Sequence, residues 1–317
     1  MKNALRIGTR DSQLAVWQAT LVQDQLRANN IASELVLIKS EGDIDLVTPL
    51  YELGVQGIFT QTLDAALLNN RIDIAVHSMK DVPTQPAKGI VQAAVLKRAS
   101  YKDLLVYKTG DTGFINTVKG DAANVDTHAP FTIATSSIRR KAQWLHRFPG
   151  HTIENLRGNV NTRLRKVEES NWNGAIFAAA GLERIGLRPE NAIELDWMLP
   201  APAQGAIMIV CKEPDQFAKD ACAVLNDDAT ELCTKIERDF LRALLGGCAT
   251  PISALAEWKE GNIFFRGNIL SVDGKEKIEV ELDVASSGSE NLGTRAAAEL
   301  LAKGGDNIIN AIRNGGA

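Results

Sequence analysis

Between Leu5 and Cys211 the chain alternates short apolar runs with segments whose apolar residues recur roughly every three or four positions. Few folds are open to a chain patterned this way. Leu5-Arg6-Ile7-Gly8-Thr9 predicts a strand, after which Asp11 or Ser12 can cap a helix carrying Leu14, Val16, Trp17, Leu21, Val22 and Leu26. Leu35-Val36-Leu37-Ile38 predicts a buried strand, 58–68 a helix, and Asp73-Ile74-Ala75-Val76 another strand. The stretch from Lys108 to Pro130 is polar, holds Gly and Asp, and predicts a long loop or insertion. The alternation then resumes, with strands over 131–134, 151–156 and 174–180 and helices from Ser137 to Phe148 and Asn159 to Glu169. This is an α/β pattern, in which ligands sit at the carboxyl ends of strands. Pro200-Ala201-Pro202-Ala203-Gln204-Gly205 marks a crossing segment, and Ala206 to Cys211 a strand able to return to the first sheet.

The last third changes character. Asp228 can cap a helix from Ala229 to Leu245, with Glu231 completing a capping-box-like start. Gly246-Gly247 is a left-handed stop that delivers Cys248 onto a loop. Ile263 to Leu270 and Lys277 to Val284 alternate as strands joined through Asp273-Gly274, and an amphipathic helix follows from Glu290 to Lys303. A chain of 317 residues suggests about two domains by length. The passage from α/β to α+β raises the expected count to three.

Hydrophobic residues make up 45% and charged residues 23%, which excludes a disordered chain. No run reaches the roughly 18 apolar residues of a membrane helix, and the N-terminus lacks the apolar core of a signal peptide. A cytoplasmic protein without a membrane partner is expected. The formal net charge of −4 argues against a globally basic nucleic-acid binder. Cys211, Cys222, Cys233 and Cys248 form no Cys-x-x-Cys pair, and His77, His128, His146 and His151 are scattered, so no metal site is expected.

Against that acidic background, Thr132 to Arg165 holds Arg139, Arg140, Lys141, Arg147, Arg157, Arg163 and Arg165 with Glu154 as its single acid. Thr135-Ser136-Ser137-Ile138-Arg139-Arg140 leaves a strand and opens a helix, and Leu156-Arg157-Gly158-Asn159-Val160-Asn161-Thr162-Arg163 repeats the geometry. Free N–H groups, hydroxyls and guanidinium forks gathered at helix starts favour a polyanionic ligand over a solvated basic face. Arg10-Asp11-Ser12 offers a further anion site or simple capping. The turn His77-Ser78-Met79-Lys80-Asp81-Val82-Pro83 follows a buried strand, where an acid can stabilise a developing cation or handle a proton. Its plainer reading is a salt bridge between neighbours, with His77 a hydrogen-bonded structural residue. Cys248 is either an approachable thiol after Gly-Gly or a small hydrophobe beneath a loop, while its three siblings read as core thiols.

Together these segments resemble the porphobilinogen deaminases, also called hydroxymethylbilane synthases. The likeness runs through Arg6–Ala15, Asp73–Pro83, Thr135–Arg140, Leu156–Arg163, Ala180–Leu187, Pro202–Gly205 and Gly246–Pro251 in the family's order. It implies two periplasmic-binding-protein-like (type II) α/β domains flanking a cleft plus a small α+β C-terminal domain with an antiparallel sheet. The corresponding division is 1–102 with 203–225, then 103–202, then 226–317. It implies a dipyrromethane cofactor joined to Cys248 by a thioether and a catalytic aspartate at Asp81. Arg10, Arg139, Arg140, Arg157, Arg163 and Arg184 then bind acetate and propionate groups, and Ser12, Lys80 and Ser137 line the same site. The implied reaction condenses four porphobilinogen molecules into hydroxymethylbilane with loss of ammonia, by a monomer acting without nucleic acid.

Several positions depart from the commoner family pattern. Glu52 and Gln56 stand where lysines are frequent, Leu245 replaces a Glu before Gly-Gly-Cys, and Ser253 replaces a Gly after Pro-Ile. The resemblance therefore predicts an active enzyme with altered loop behaviour. Two other classes compete. A solute-binding module would share the two-lobed architecture but need neither Cys248 nor Asp81, and an RNA-binding protein would use the basic turns in a salt-sensitive way.

Overall fold

Apolar runs bounded by turns become strands where both faces of a sheet can be covered. The computed structural model describes residues 4–39, 60–120, 130–244 and 250–315. Its strands are, in order, β1 (Leu5–Thr9), β2 (Ser33–Leu37), β3 (Ile74–Ser78), β4 (Ile90–Val95) and β5 (Asp103–Tyr107). There follow β6 (Thr132–Ala134), β7 (Thr152–Glu154), β8 (Gly174–Ala178), β9 (Ala192–Glu194) and β10 (Ile207–Lys212). The last three are β11 (Ile252–Lys259), β12 (Asn262–Leu270) and β13 (Lys277–Ala285). The helices are α1 (Gln13–Ala28), α2 (Gln61–Leu68), α3 (Thr112–Lys119), α4 (Ile138–Arg147) and α5 (Val160–Glu169). They continue with α6 (Ala179–Glu183), α7 (Gln216–Ala223), α8 (Asp228–Ala243), α9 (Leu292–Leu300) and α10 (Asp306–Gly315).

The first sheet has the order β2-β1-β3-β10-β4 and the second β7-β6-β8-β5-β9. In each, three parallel strands are followed by one antiparallel strand and an outer strand. The two therefore share one plan, and the chain supplies the antiparallel strand of each as it passes from one sheet to the other. As the sequence pattern suggested, β10 returns to the first sheet, pairing Ile207 with Ser78 and Met208 with His77. Helices cover both faces. Ala19, Val22 and Leu26 of α1 pack on one side of the first sheet, and Leu63, Ala66 and Leu67 of α2 on the other. Trp144 and Phe148 fill one face of the second sheet, where His151 stacks on Phe148.

Several local expectations are corrected. Of the two caps the sequence offered for α1, Ser12 serves, its Oγ accepting from Ala15 N at 3.4 Å. The expected loop over 108–130 contains α3, capped by Asp111; Phe114 and Val118 lie one helical turn apart and are buried, which the surrounding Gly and Asp residues obscured. Residues 121–129 lie outside the described residues. Asp227 rather than Asp228 caps α8, accepting from Thr230 N at 2.8 Å, so Glu231 is one position too late for a capping box. Glu231 accepts instead from Gln92 Nε2 at 2.7 Å and from Asn226 Nδ2 at 2.8 Å. The C-terminal helix expected from Glu290 to Lys303 is realised as α9 and the turn Leu301–Gly305, and beyond Gly304, at φ +102°, stands α10, a helix the sequence pattern did not suggest.

The third sheet, β11-β12-β13, is antiparallel throughout and packs against α8 and α9 through Ile236, Phe240, Phe265 and Leu300. Glu237 on α8 is fully buried and ties this unit to both chain crossings. Its carboxylate accepts from Arg98 at 2.6 and 3.1 Å, from Ala203 N at 2.6 Å and from Ala256 N at 2.8 Å. Ser253 is also buried and accepts from Gln143 Nε2 at 3.0 Å, joining β11 to α4. Leu245, Gly246, Gly247, Glu52 and Gln56 lie outside the described residues, so the family departures at 52, 56 and 245 have no structural counterpart here.

Candidate active site

Three helices with side-chain caps begin at the carboxyl ends of parallel strands, α1 after β1, α4 after β6 and α5 after β7, while the short α6 follows β8 without such a cap. Their caps are neutral. Ser12 caps α1, Ser137 accepts from Arg140 N at 3.5 Å, and Asn159 accepts from Thr162 N at 2.9 Å. Elsewhere, α3, α7 and α8 are capped by Asp111, Asp215 and Asp227. A carboxylate cap offsets the positive end of its own helix, whereas a hydroxyl or amide cap leaves that end able to attract an external anion. Asn161 Nδ2 donates to Gln13 Oε1 at 2.8 Å, tying the first turn of α5 to that of α1.

The 3-10 turn Met79–Asp81 ends β3 and presents Lys80 and Asp81. Burial first, and then Arg140, lower the Lys80 ammonium to about 8, while Asp81 and Asp103 oppose that shift. Burial likewise lowers Arg163 to about 10, with Arg140 and Arg157 adding to the effect and Asp81 opposing it. These mutual influences place Lys80, Asp81, Arg139, Arg140, Arg157 and Arg163 in one electrostatic cluster drawn from both sheets. Arg163 donates from Nε to Gly158 O at 2.7 Å, and its two terminal nitrogens meet no acceptor among the described residues. The Asp81 carboxylate accepts no hydrogen bond from any described residue; its opposite charges are Lys80 and Arg163.

Arg139 and Arg140 are directed inward to a residue that sequence reasoning passed over. Asp103, fully buried at the head of β5, accepts from Arg139 at 2.7 Å and from Arg140 at 3.1 and 2.7 Å. Burial alone would raise the Asp103 carboxyl, but Arg139 and Arg140 outweigh it and hold the group well below the usual carboxylate range. Gln204, from the second crossing, donates to Asp103 at 2.8 Å and accepts from Lys80 Nζ at 3.1 Å. One hydrogen-bonded chain thus runs from Lys80 through Gln204 and Asp103 to both arginines. Arg139 also donates to Leu199 O and Arg140 to Ile176 O, yet Arg139 Nε is buried without a partner among the described residues. An acid opening an otherwise apolar strand was the available signal for Asp103.

The remaining predicted residues fall around this chain. Arg184 donates to Gly205 O at 2.7 Å, lies 5.9 Å from the Trp17 ring and is lowered to about 10 by burial. Arg10 acts on His77, whose imidazole is lowered to about 4, chiefly by burial. His77 Nε2 meets no partner among the described residues, so the expected hydrogen-bonded histidine is not realised at that nitrogen. Lys141 and Arg147 are partly buried, and Arg165 is an exposed partner of Glu169. Cys248 lies outside the described residues. Cys211, Cys222 and Cys233 are buried, as expected.

A family model described as porphobilinogen deaminase, dipyromethane cofactor binding domain, matches residues 5–220, and one for the C-terminal domain of porphobilinogen deaminase matches residues 231–302. The chain belongs to the porphobilinogen deaminase family. The porphobilinogen deaminase of Chlorobium phaeobacteroides (strain BS1) is 38% identical to it over 321 residues, covering 99% of each chain. That of Syntrophotalea carbinolica is 40% identical, covering 98% of this chain and 96% of its own. Among solved structures, an ancestral cationic amino acid solute binding protein matches 72% of this chain and 92% of its own, at 12% identity and a TM-score of 0.45. Every predicted site residue except Cys248 falls within the porphobilinogen deaminase cofactor-domain match, and Cys248 falls within the C-terminal match.

Asp103 carries the first prediction. Asp103→Asn leaves two buried guanidinium groups short of their counter-charge and should cost about 3–5 kcal/mol in urea unfolding at neutral pH. Because the folded-state value is depressed, this stabilisation is present above the ordinary carboxylate range and fades as pH falls through the depressed value. The wild type should therefore lose its advantage over the variant only in acid; equal stability at pH 7 would contradict the clamp.

Proposed function

We propose that this chain joins porphobilinogen molecules head to tail into the linear tetrapyrrole hydroxymethylbilane, releasing ammonia, on a dipyrromethane held by a thioether to Cys248. The observation that carries this reading is the Asp81 carboxylate, open to a ligand and flanked by Lys80 and Arg163, inside a match to a dipyrromethane-binding family. We read the chain as a cytoplasmic monomer divided at 1–102 with 203–225, 103–202 and 226–317. No helix among the described residues is long and apolar enough to cross a membrane.

The donor set fits the cofactor. A dipyrromethane bears several carboxylates and two pyrrole N–H groups, and the site offers unspent guanidinium nitrogens on Arg163, a buried unpartnered Nε on Arg139 and a carboxylate with open lone pairs. Arg10, Arg157, Arg163 and Arg184, with Lys80 and the neutral caps Ser12 and Ser137, would hold its acid groups. Arg139 and Arg140 would contribute the donors that Asp103 leaves over. Cys211, Cys222 and Cys233 are poor candidates for attachment, since burial raises all three thiols, Cys233 to about 11 and Cys222 to about 12. When bound, the cofactor supplies the free pyrrole carbon to which the first porphobilinogen is joined.

Each porphobilinogen carries two carboxylates, so a chain of several rings brings on the order of a dozen negative charges, and bidentate arginines are suited to hold them. As the C–N bond of the protonated aminomethyl group breaks, its electron pair leaves with nitrogen as ammonia and the pyrrole becomes cationic. At 4 Å and an effective dielectric near 20, Asp81 would favour that charge by roughly 4 kcal/mol. The same carboxylate can accept a pyrrole N–H bond and help move the proton lost when the new C–C bond forms.

Three outcomes follow. Intact-mass measurement should show two pyrrole rings on the purified chain, and Cys248→Ser should lack both adduct and turnover; an unmodified thiol in active protein would refute attachment. Asp81→Asn should keep the adduct and lose about 100-fold or more in turnover, and near-normal rates would remove Asp81 from the reaction. Lys80 holds a proton only below about pH 8 in the free site. Affinity for porphobilinogen should therefore weaken as pH rises through 8. Lys80→Gln should flatten that limb, and an unchanged profile would show that Lys80 does not bind the carboxylates.

A further inference from the structure

Asp81 has a carboxylate that no described residue holds by a hydrogen bond, so its placement depends on the backbone beneath it. That backbone is short and exposed to distortion. The turn is closed by Val82 N donating to Met79 O at 3.1 Å, and its start is fixed by Met79 N donating to Ala206 O at 3.0 Å. Met79 and Val82 anchor their side chains in the core of the first sheet, but Lys80 and Asp81 stand between these anchors. Pro83 has no N–H to offer a neighbour, and it keeps Val82 extended, at φ −84° and ψ 127°. No backbone N–H among the described residues donates to Val82 O or Pro83 O, so these carbonyls need donors from elsewhere.

They receive them from one side chain. Arg238, on α8 of the C-terminal unit, donates from one terminal nitrogen to Met79 O at 3.3 Å and Val82 O at 2.8 Å, and from the other to Pro83 O at 2.7 Å. The three carbonyls lie on both sides of Asp81. Beside this fork, between the turn and α8, an open pocket of about 320 Å³ is lined by Met79, Thr84, Gln92 and Arg242 among others. The planar guanidinium spans carbonyls that a lysine ammonium, as a single point, could not satisfy together. Burial lowers Arg238 to about 10, which leaves it charged throughout the neutral range.

We propose that Arg238 is a positioning residue for the reaction: by clamping the carbonyls of Met79, Val82 and Pro83 it fixes where the Asp81 carboxylate stands. This rests on the reading of Asp81 as the catalytic acid. Arg238 would touch neither substrate nor cofactor, and its effect would be on the chemical step rather than on binding. A carboxylate displaced by an ångström costs catalysis far more than affinity.

The test uses Arg238→Gln and Arg238→Lys in the cofactor-loaded enzyme, with loading checked by intact mass and folding by thermal unfolding. Both variants should keep the adduct and a KM for porphobilinogen within about threefold of wild type, while kcat falls about 10–100-fold. Lys should rescue little, because charge without the fork does not span the carbonyls. In an Asp81→Asn background, Arg238→Gln should change the residual single-turnover rate by less than about twofold, since the residue it positions is already lost. A kcat near wild type in both variants, or losses that multiply with Asp81→Asn, would overturn the proposal. If Arg238→Gln fails to fold, the same criteria apply to Arg238→Lys. Normal turnover in Asp81→Asn alone would instead sink the reading of Asp81, whereas a dead Asp81→Asn beside a normal Arg238→Gln would sink only the clamp.

Discussion

Asp103 sits where no water reaches it, and a lone carboxylate there would be unfavourable by several kcal/mol. Arg139 and Arg140 make it tolerable, and it in turn makes two adjacent buried cations tolerable. The arrangement decides more than its own stability. Asp103 opens the strand by which the chain enters the second sheet, and Gln204 lies where the chain leaves it. Joining both to Lys80 couples the turn bearing Asp81 to the helix bearing the arginines. The position of this cluster is therefore set by charges satisfied inside the protein, while Arg163 keeps its terminal nitrogens and Asp81 its carboxylate without a hydrogen bond among the described residues.

That division of labour resolves a tension in a site that we propose holds many acid groups. A pocket of uncompensated arginines would repel itself; burial and mutual repulsion already lower Arg163 and Lys80. One internal carboxylate relieves two of the buried arginines, Arg139 and Arg140, while the neutral caps of α1, α4 and α5 keep the helix ends available. The C-terminal unit contributes from behind through Glu237, which pins both crossings, and Arg238, which reaches the Asp81 turn.

Much of this was legible in the sequence. The strand-to-helix turns at Ser12, Ser137 and Asn159 lie where the alternation of periods put them, because apolar spacing and capping chemistry are local properties. The arginine excess between 132 and 165 was equally visible, but that Arg139 and Arg140 turn inward to Asp103 was not. What escaped depends on partners far along the chain. Asp103 reads as an ordinary polar residue ahead of an apolar run until Arg139 and Arg140 are brought to it. Arg238 reads as one more charge on an amphipathic helix until the Asp81 turn is laid across it. Asp227 and Asp228 are chemically equivalent caps, and only the backbone chooses between them. The helix at 112–119 was hidden because its two buried residues are outnumbered by turn formers.

The exchange of strands between the two sheets also has a consequence for how the chain is made. All five strands of the second sheet lie between Asp103 and Glu194, in one unbroken stretch. The first sheet needs β10, which lies between β3 and β4 and ends at Lys212. During synthesis from the N-terminus, the earlier-made lobe must wait with a gap at its middle until the later-made lobe has emerged in full. Its apolar strands are the ones left uncovered longest, and the order of completion runs opposite to the order of translation.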